Sequence, residues 1–196
     1  EVVRDLRFKE LHNFDHVDSV NSIAINNNHI IAAAGGLEVI VHDLNDKDKT
    51  WRNFRHKDSI NSIALNEHNI LAAGGHDKKV LVYDLSKKGK ILHEFQHDDS
   101  VSSIVIDGKI IAAGGNDKKV IVRDLNKNGE IMHTFEHEDS VFSIVLNGNI
   151  IAAGGLDKKV IVRDLNKNGE ILQEFFLRKQ KFSGSVSVNS RRATIL

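Results

Sequence analysis

His93-Glu94-Phe95-Gln96-His97 carries the His-Glu-x-x-His pattern of zinc proteases, and here residue types and spacing could do chemistry. That chemistry needs the two histidines one turn apart on a helix, so that both ring nitrogens converge on the metal. The same spacing returns as His12-Asn-Phe-Asp-His16 and His133-Thr-Phe-Glu-His137, without the glutamate at the second position. A repeat in the chain explains it, and no metal site is expected. Asp43 to Asp48 has the acidity of a calcium loop but lacks the central glycine and terminal glutamate. Ser19, Ser59, Ser100 and Ser140 each follow an aspartate, which reads as one loop position repeated and not as four nucleophiles. The glycine pairs open no helix, as a phosphate loop would require. No catalytic residue and no cofactor is expected.

Composition narrows the class further. The chain has 196 residues, 40% hydrophobic and 28% charged, which suits one globular domain. Lys plus Arg equals Asp plus Glu at 27 each, so there is no overall basic field and nucleic acid is not the expected partner. There is no cysteine, no apolar run of membrane-spanning length, no signal-like start and no Asn-x-Ser/Thr sequon. These features predict an intracellular, cytoplasmic protein without a membrane partner.

The elements that position these residues come from a repeat. His16, His56, His97 and His137 recur at intervals of 40, 41 and 40 residues. Each copy runs through Asp-Ser-Val/Ile, a small-residue stretch such as Ala112-Ala113-Gly114-Gly115, a Val/Ile segment ending Asp-Leu, and a phenylalanine: Phe54, Phe95, Phe135 or Phe175, with Phe14 as the first. Short Val/Ile-rich segments between turn signals predict strands. Asp107-Gly108 and Asn147-Gly148 suit two-residue hairpins, and Asn128-Gly129 and Asn168-Gly169 mark a further turn. In the last copy the strands are expected at 140 to 146, 150 to 154, 160 to 164 and 170 to 175. Four antiparallel strands every 40 residues or so predict an all-β propeller.

The copies resemble the WD40 family. His16, His56, His97 and His137 stand in its His role, and Asp43, Asp84, Asp124 and Asp164 in its final Asp role. The resemblance implies a His to Asp link in three of the copies, His56 with Asp77, His97 with Asp117, and His137 with Asp157, whereas the copy starting at His16 is two residues shorter between Gly36 and Val39 and lacks the Asp. The rest of the family's hydrogen-bonded set is replaced, with Ala113 or Ala153 at the Ser position and His42, Tyr83, Arg123 or Arg163 at the Trp position. Only the His to Asp link is expected to survive. Losing partners together is less costly than orphaning one, so Val, Ile and Ala packing must carry the blades.

Four units span residues 15–54, 55–95, 96–135 and 136–175. Residues 1–14 resemble the third and fourth strands of a unit, and 183–196 a degraded first and second. Together they predict a fifth blade that seals the ring and removes exposed sheet edges. The rival is a piece of a larger WD40 propeller. Residues 176 to 182 fit the repeat poorly and are expected to form a basic connector.

Fold-required positions should repeat, whereas recognition positions are free to differ between copies. One varying column is Asn21, Asn61, Ser102, Phe142, and another is His76, Asn116, Leu156. By resemblance to the family both lie on the upper rim, where Lys78, Lys118 and Lys158 would add a basic arc. Val141 and Ile144 recur as Val or Ile and should be buried, leaving Phe142 and Leu156 as a small apolar contact for a protein or peptide. Drift among free surface positions and ordinary solvated turns are the alternatives. A scaffold role is therefore expected, with a repeated-pocket anion or carbohydrate binder as the competitor.

Overall fold

The computed structural model describes residues 2–4, 10–13, 16–45, 50–176, 187–189 and 192–194, with side chains described for 16–45 and 52–176. Four four-stranded antiparallel sheets follow one another as blades I to IV, each ordered as a simple meander. Blade I comprises Ser22–Ile25, Ile30–Gly35, Glu38–Asp43 and Thr50–Arg55. Blade II comprises Ile60–Leu65, Ile70–Gly75, Lys79–Asp84 and Lys90–Gln96. Blade III comprises Val101–Asp107, Ile110–Gly115, Lys119–Asp124 and Glu130–Glu136, and blade IV Val141–Asn147, Ile150–Gly155, Lys159–Asp164 and Glu170–Phe176. Gly108 and Gly148 take φ of +54° and +59°, as their hairpins demand. In blades II to IV the final Asp of the repeat caps a single 3-10 turn, which the strand pattern had not revealed: the carboxylate of Asp124 accepts from the Asn126 N–H at 2.9 Å.

The core lies between blades. Val120, Val122 and Phe135 of blade III pack on Val141, Ile144 and Ile151 of blade IV. The preceding junction repeats this with Val80, Val82 and Phe95 against Val101, Ile104 and Ile111. Each blade thus turns one face of its sheet, the leading face, to the blade before it and the other, the trailing face, to the blade after it, with alternate residues of its strands on the two. The small-residue stretches keep the layers close, since larger side chains at Ala72 or Ala112, both fully buried, would force them apart.

Polar ties run across the same junctions. The hydroxyls of Ser22, Ser62 and Ser103 accept from the N–H groups of Ile63, Ile104 and Ile144 at 3.0, 2.9 and 3.0 Å. Arg123 lays its guanidinium over the Phe95 ring of the preceding blade, 4.4 Å from the centroid, and donates to the Gly129 carbonyl at 2.8 Å. Arg163 does the same with Phe135 and Gly169, at 4.5 and 2.9 Å. Tyr83 stacks on Phe54 at 4.2 Å. Tyr83, Arg123 and Arg163, at the family's Trp position, therefore clamp neighbouring blades together.

The ends of the array differ from its middle. Ile63, Ile104 and Ile144 are 5, 6 and 5% exposed, whereas Ile23 at the same position of blade I is 48% exposed. Phe95 and Phe135 are buried, whereas Phe175 is exposed. The fifth blade expected from 1–14 and 183–196 is not assembled among the described residues. Val2–Arg4 pairs with Glu10–Asn13 and Ser187–Asn189 with Arg192–Thr194, as two separate two-stranded sheets. Strands adjacent in sequence pair at little loop-closure cost, while joining the two hairpins requires opposite ends of the chain to meet. Ser187–Asn189 lies against the first strand of blade IV. Phe14, residues 177–182 of the expected connector, residues 46–48 of the Asp43 to Asp48 segment, and residues 1, 5, 6, 195 and 196 lie outside the described residues.

Candidate functional site

The site is built on a β-bulge. In blades II, III and IV the register slips at the start of the first strand, between Ile60 and Ser62, Val101 and Ser103, and Val141 and Ser143. The extra residue in each case is Asn61, Ser102 or Phe142. A bulge re-aims a side chain, which is why the burial alternation breaks here. Val141 is fully buried and Ile144 nearly so, while Phe142 between them is 51% exposed. The bulge also brings a carbonyl so close that only glycine fits opposite: a Cβ on Gly155 would lie 1.8 Å from the Ser140 oxygen.

The second column stands beside the first. The N–H groups of His76, Asn116 and Leu156 donate to the carbonyls of Ser59, Ser100 and Ser140 at 2.8, 2.9 and 2.9 Å. These bonds bind the turn between second and third strands to the loop that enters the blade, so both columns share one face. Leu156 is 52% exposed next to the bulge that carries Phe142. His76 and Asn116 are exposed and polar at the matching places.

The first column changes task along the array. The Asn21 amide donates to the Ile60 carbonyl at 2.9 Å and the Asn61 amide to the Val101 carbonyl at 2.9 Å. Both are ties to the next blade, a role that their variability in sequence did not suggest. Phe142 cannot make that bond and presents a ring instead.

The lysines behave similarly. Lys78, Lys118 and Lys158 all adopt φ of +62° in the turn. Lys78 reaches the Asp99 carboxylate at 3.6 Å and Lys118 that of Asp139 at 3.8 Å, each on the loop of the next blade. Their charges are thus partly answered, although exposed pairs of this kind contribute only about 0 to 1 kcal/mol.

Beneath the rim, the Nδ1 atoms of His56, His97 and His137 sit 3.1, 2.8 and 2.9 Å from the carboxylates of Asp77, Asp117 and Asp157. In blade II the network is larger than the expected lone link, because the Tyr83 hydroxyl approaches His56 Nε2 at 3.4 Å. Burial lowers the His56 pKa against the opposing pull of Asp77, and burial pushes the Tyr83 hydroxyl up to about 12. Asp117 is held below the ordinary carboxylate range: burial opposes this, and the His97 hydrogen bond and charge with two backbone N–H groups prevail. These groups brace the loop.

His93 and His97 do not converge. Residues 90–96 form a strand, and side chains four apart along one stand about 13 Å from each other. His93 stacks on Phe95 and His97 is engaged by Asp117. Among the described residues no three His, Cys, Asp or Glu side chains gather as a metal site would need. No described helix is long and apolar enough to cross a membrane. On the opposite face a cavity of about 170 Å³ opens among Asn27, Asn66, Glu67 and Asp107. The sequence had given no sign of it, nor of the serine ties, although Ser22, Ser62, Ser103 and Ser143 do recur in every copy.

Comparison with known proteins agrees with this geometry. No curated protein matches the chain. Among solved structures it is similar to a chain of the crystal structure titled Mitotic Checkpoint Complex, with a TM-score of 0.73 and 20% identity over 85% of this chain. It spans only 56% of that chain, so the likeness speaks for the fold alone. The WD40 family pattern, described as WD domain, G-beta repeat, matches residues 47–84, 89–124 and 129–164, more than half of the sequence. With the blades, the final aspartates and the His to Asp links in place, the chain belongs to the WD40 repeat family.

Proposed function

We propose that this chain is a non-catalytic interaction scaffold that holds a protein or peptide on the rim of blade IV. One observation carries the reading: Phe142 and Leu156 are both half exposed and adjacent on one face, at positions that the other blades fill with Asn21, Asn61 and Ser102 or with His76 and Asn116. An apolar pair within a polar surround is how a small hot spot is built. Asn21, Asn61, Lys78 and Lys118 then serve mainly to fix the rim, through the inter-blade contacts described above. Ser102, His76, Asn116 and Lys158 are the polar surround available to a partner. The uncovered face at Ile23 supports a second reading with the same role, in which further blades complete a larger propeller.

Capture of binding proteins on the immobilised chain, compared with its Phe142→Ser variant, tests the proposal. The substitution restores the residue type of blade III, so its melting curve should be unchanged. At least one captured protein should be lost, since truncating an anchor typically costs about 2 kcal/mol or more. Identical capture by both chains would overturn the assignment.

A further inference from the structure

Charge on the rim is arranged blade by blade, and the arrangement breaks at blade IV. Lys78 donates to the Asp98 carbonyl at 3.1 Å and lies near the Asp99 carboxylate. Lys118 donates to the Glu138 carbonyl at 3.2 Å and lies near that of Asp139. Each turn lysine therefore reaches forward onto an acidic loop of the next blade. The responding aspartate follows the closing phenylalanine at a fixed register, Asp99 after Phe95 and Asp139 after Phe135. After Phe175 the same register holds Lys179, within Arg178-Lys179-Gln180-Lys181.

In sequence, the register that supplies an aspartate to Lys78 and Lys118 therefore supplies none to Lys158. Among the described residues Lys158 forms no ion pair, whereas the acidic groups on the loop entering blade IV are already engaged, Glu138 by Lys159 and Asp139 by Lys118. Lys159 is also answered by Glu174 at 3.5 Å. Lys158 shares its turn with Leu156. In blade II the residues at the matching positions both reach forward, Asn61 onto Val101 and Lys78 onto Asp98. Blade IV consequently combines two exposed apolar side chains with a positive margin that blades II and III cancel.

We propose that this patch takes an acidic peptide segment, with a large apolar side chain seated on Phe142 and Leu156 and a neighbouring carboxylate on Lys158. The inference rests on the reading of the blade IV rim as a partner site. A phosphate polymer would satisfy the lysine but leave both apolar side chains uncovered, and the balanced charge of the whole chain provides no wider basic field for it.

Fluorescence anisotropy of the full chain with short labelled peptide pools tests this. The first pool has Leu or Phe at its centre and Asp and Glu on both flanks; the second replaces the centre by Ser, and the third replaces the flanks by Lys and Arg. The first pool should bind, and the other two should bind at least about tenfold more weakly, a difference of about 1.4 kcal/mol. Lys158→Glu should weaken the first pool about tenfold, Lys78→Glu less than about twofold, and added salt should weaken the wild type more than Lys158→Glu. Leu156→Asn, which installs the residue of blade III, should act like Phe142→Ser. If Phe142→Ser and Leu156→Asn weaken binding while flank charge and Lys158→Glu have no effect, the rim site stands and the acidic-peptide inference falls. If none of these changes matters, both fall. Tighter binding of an oligothymidylate than of the first pool would also overturn the inference.

Discussion

Ile144→Ala and Ile23→Ala remove the same three carbons from the same position of two blades, and the structure gives them different costs. Ile144 is 5% exposed and its Cδ1 would lie 3.1 Å from a Cβ placed on Gly114, so it fills the junction between blades III and IV. At about 0.8 kcal/mol per buried CH2 the transfer loss is about 2.4 kcal/mol. A cavity that the rigid strands cannot collapse raises the total to about 3 to 4 kcal/mol. Ile23 is 48% exposed on the leading face of blade I, so about half the transfer loss applies and no cavity forms, giving about 1 kcal/mol. Urea unfolding followed by far-UV circular dichroism and by Trp51 fluorescence supplies both values, and coincidence of the two probes checks that the blades unfold together. Equal losses of about 3 kcal/mol in both variants would show that the Ile23 face is covered in solution, and the reasoning from an open leading face would then fail.

Deleting residues 186–196 removes the strand that lies against the first strand of blade IV, and sedimentation should show association through the exposed edge; an equally stable monomer would remove the sealing role expected of the C-terminal segment. Arg123→Lys loses the planar stack on Phe95 and weakens the tie to Gly129, and should cost about 1 to 2 kcal/mol in urea melts. Acid should destabilise the protein in two stages. The His56 pKa is lowered by burial from 6.5, so the unfolded chain binds the extra proton and stability falls as pH drops through about 6.5, a slope that His56→Asn should flatten. Asp117 is depressed, so its contribution is present above about 3.8 and is lost as pH falls further, which Asp117→Asn should abolish in pH-dependent melts.

Local chemistry by itself determined a good deal of this protein. Val and Ile runs bounded by Asp-Gly and Asn-Gly specify strands and hairpins through backbone preferences that act within a few residues. Recurrence every 40 residues or so then specifies the propeller, because a blade cannot bury both faces of its sheet alone. Val141 and Ile144 could be read as buried from their recurrence, and the His to Asp links from both members recurring together.

Other features depended on where side chains cross from one blade to the next. Asn61 and Ser102 look interchangeable in sequence, yet only the asparagine is seen donating across the junction, to Val101. Arg123 is a surface-type residue by composition, and only the position of the Phe95 ring turns it into a clamp. The 3-10 turns after Asp84, Asp124 and Asp164 are too short to leave a periodic signature. That the described terminal strands pair as two two-stranded sheets was also decided in three dimensions, because which strands share a sheet depends on the summed rotation of all the blades between them and on no single residue.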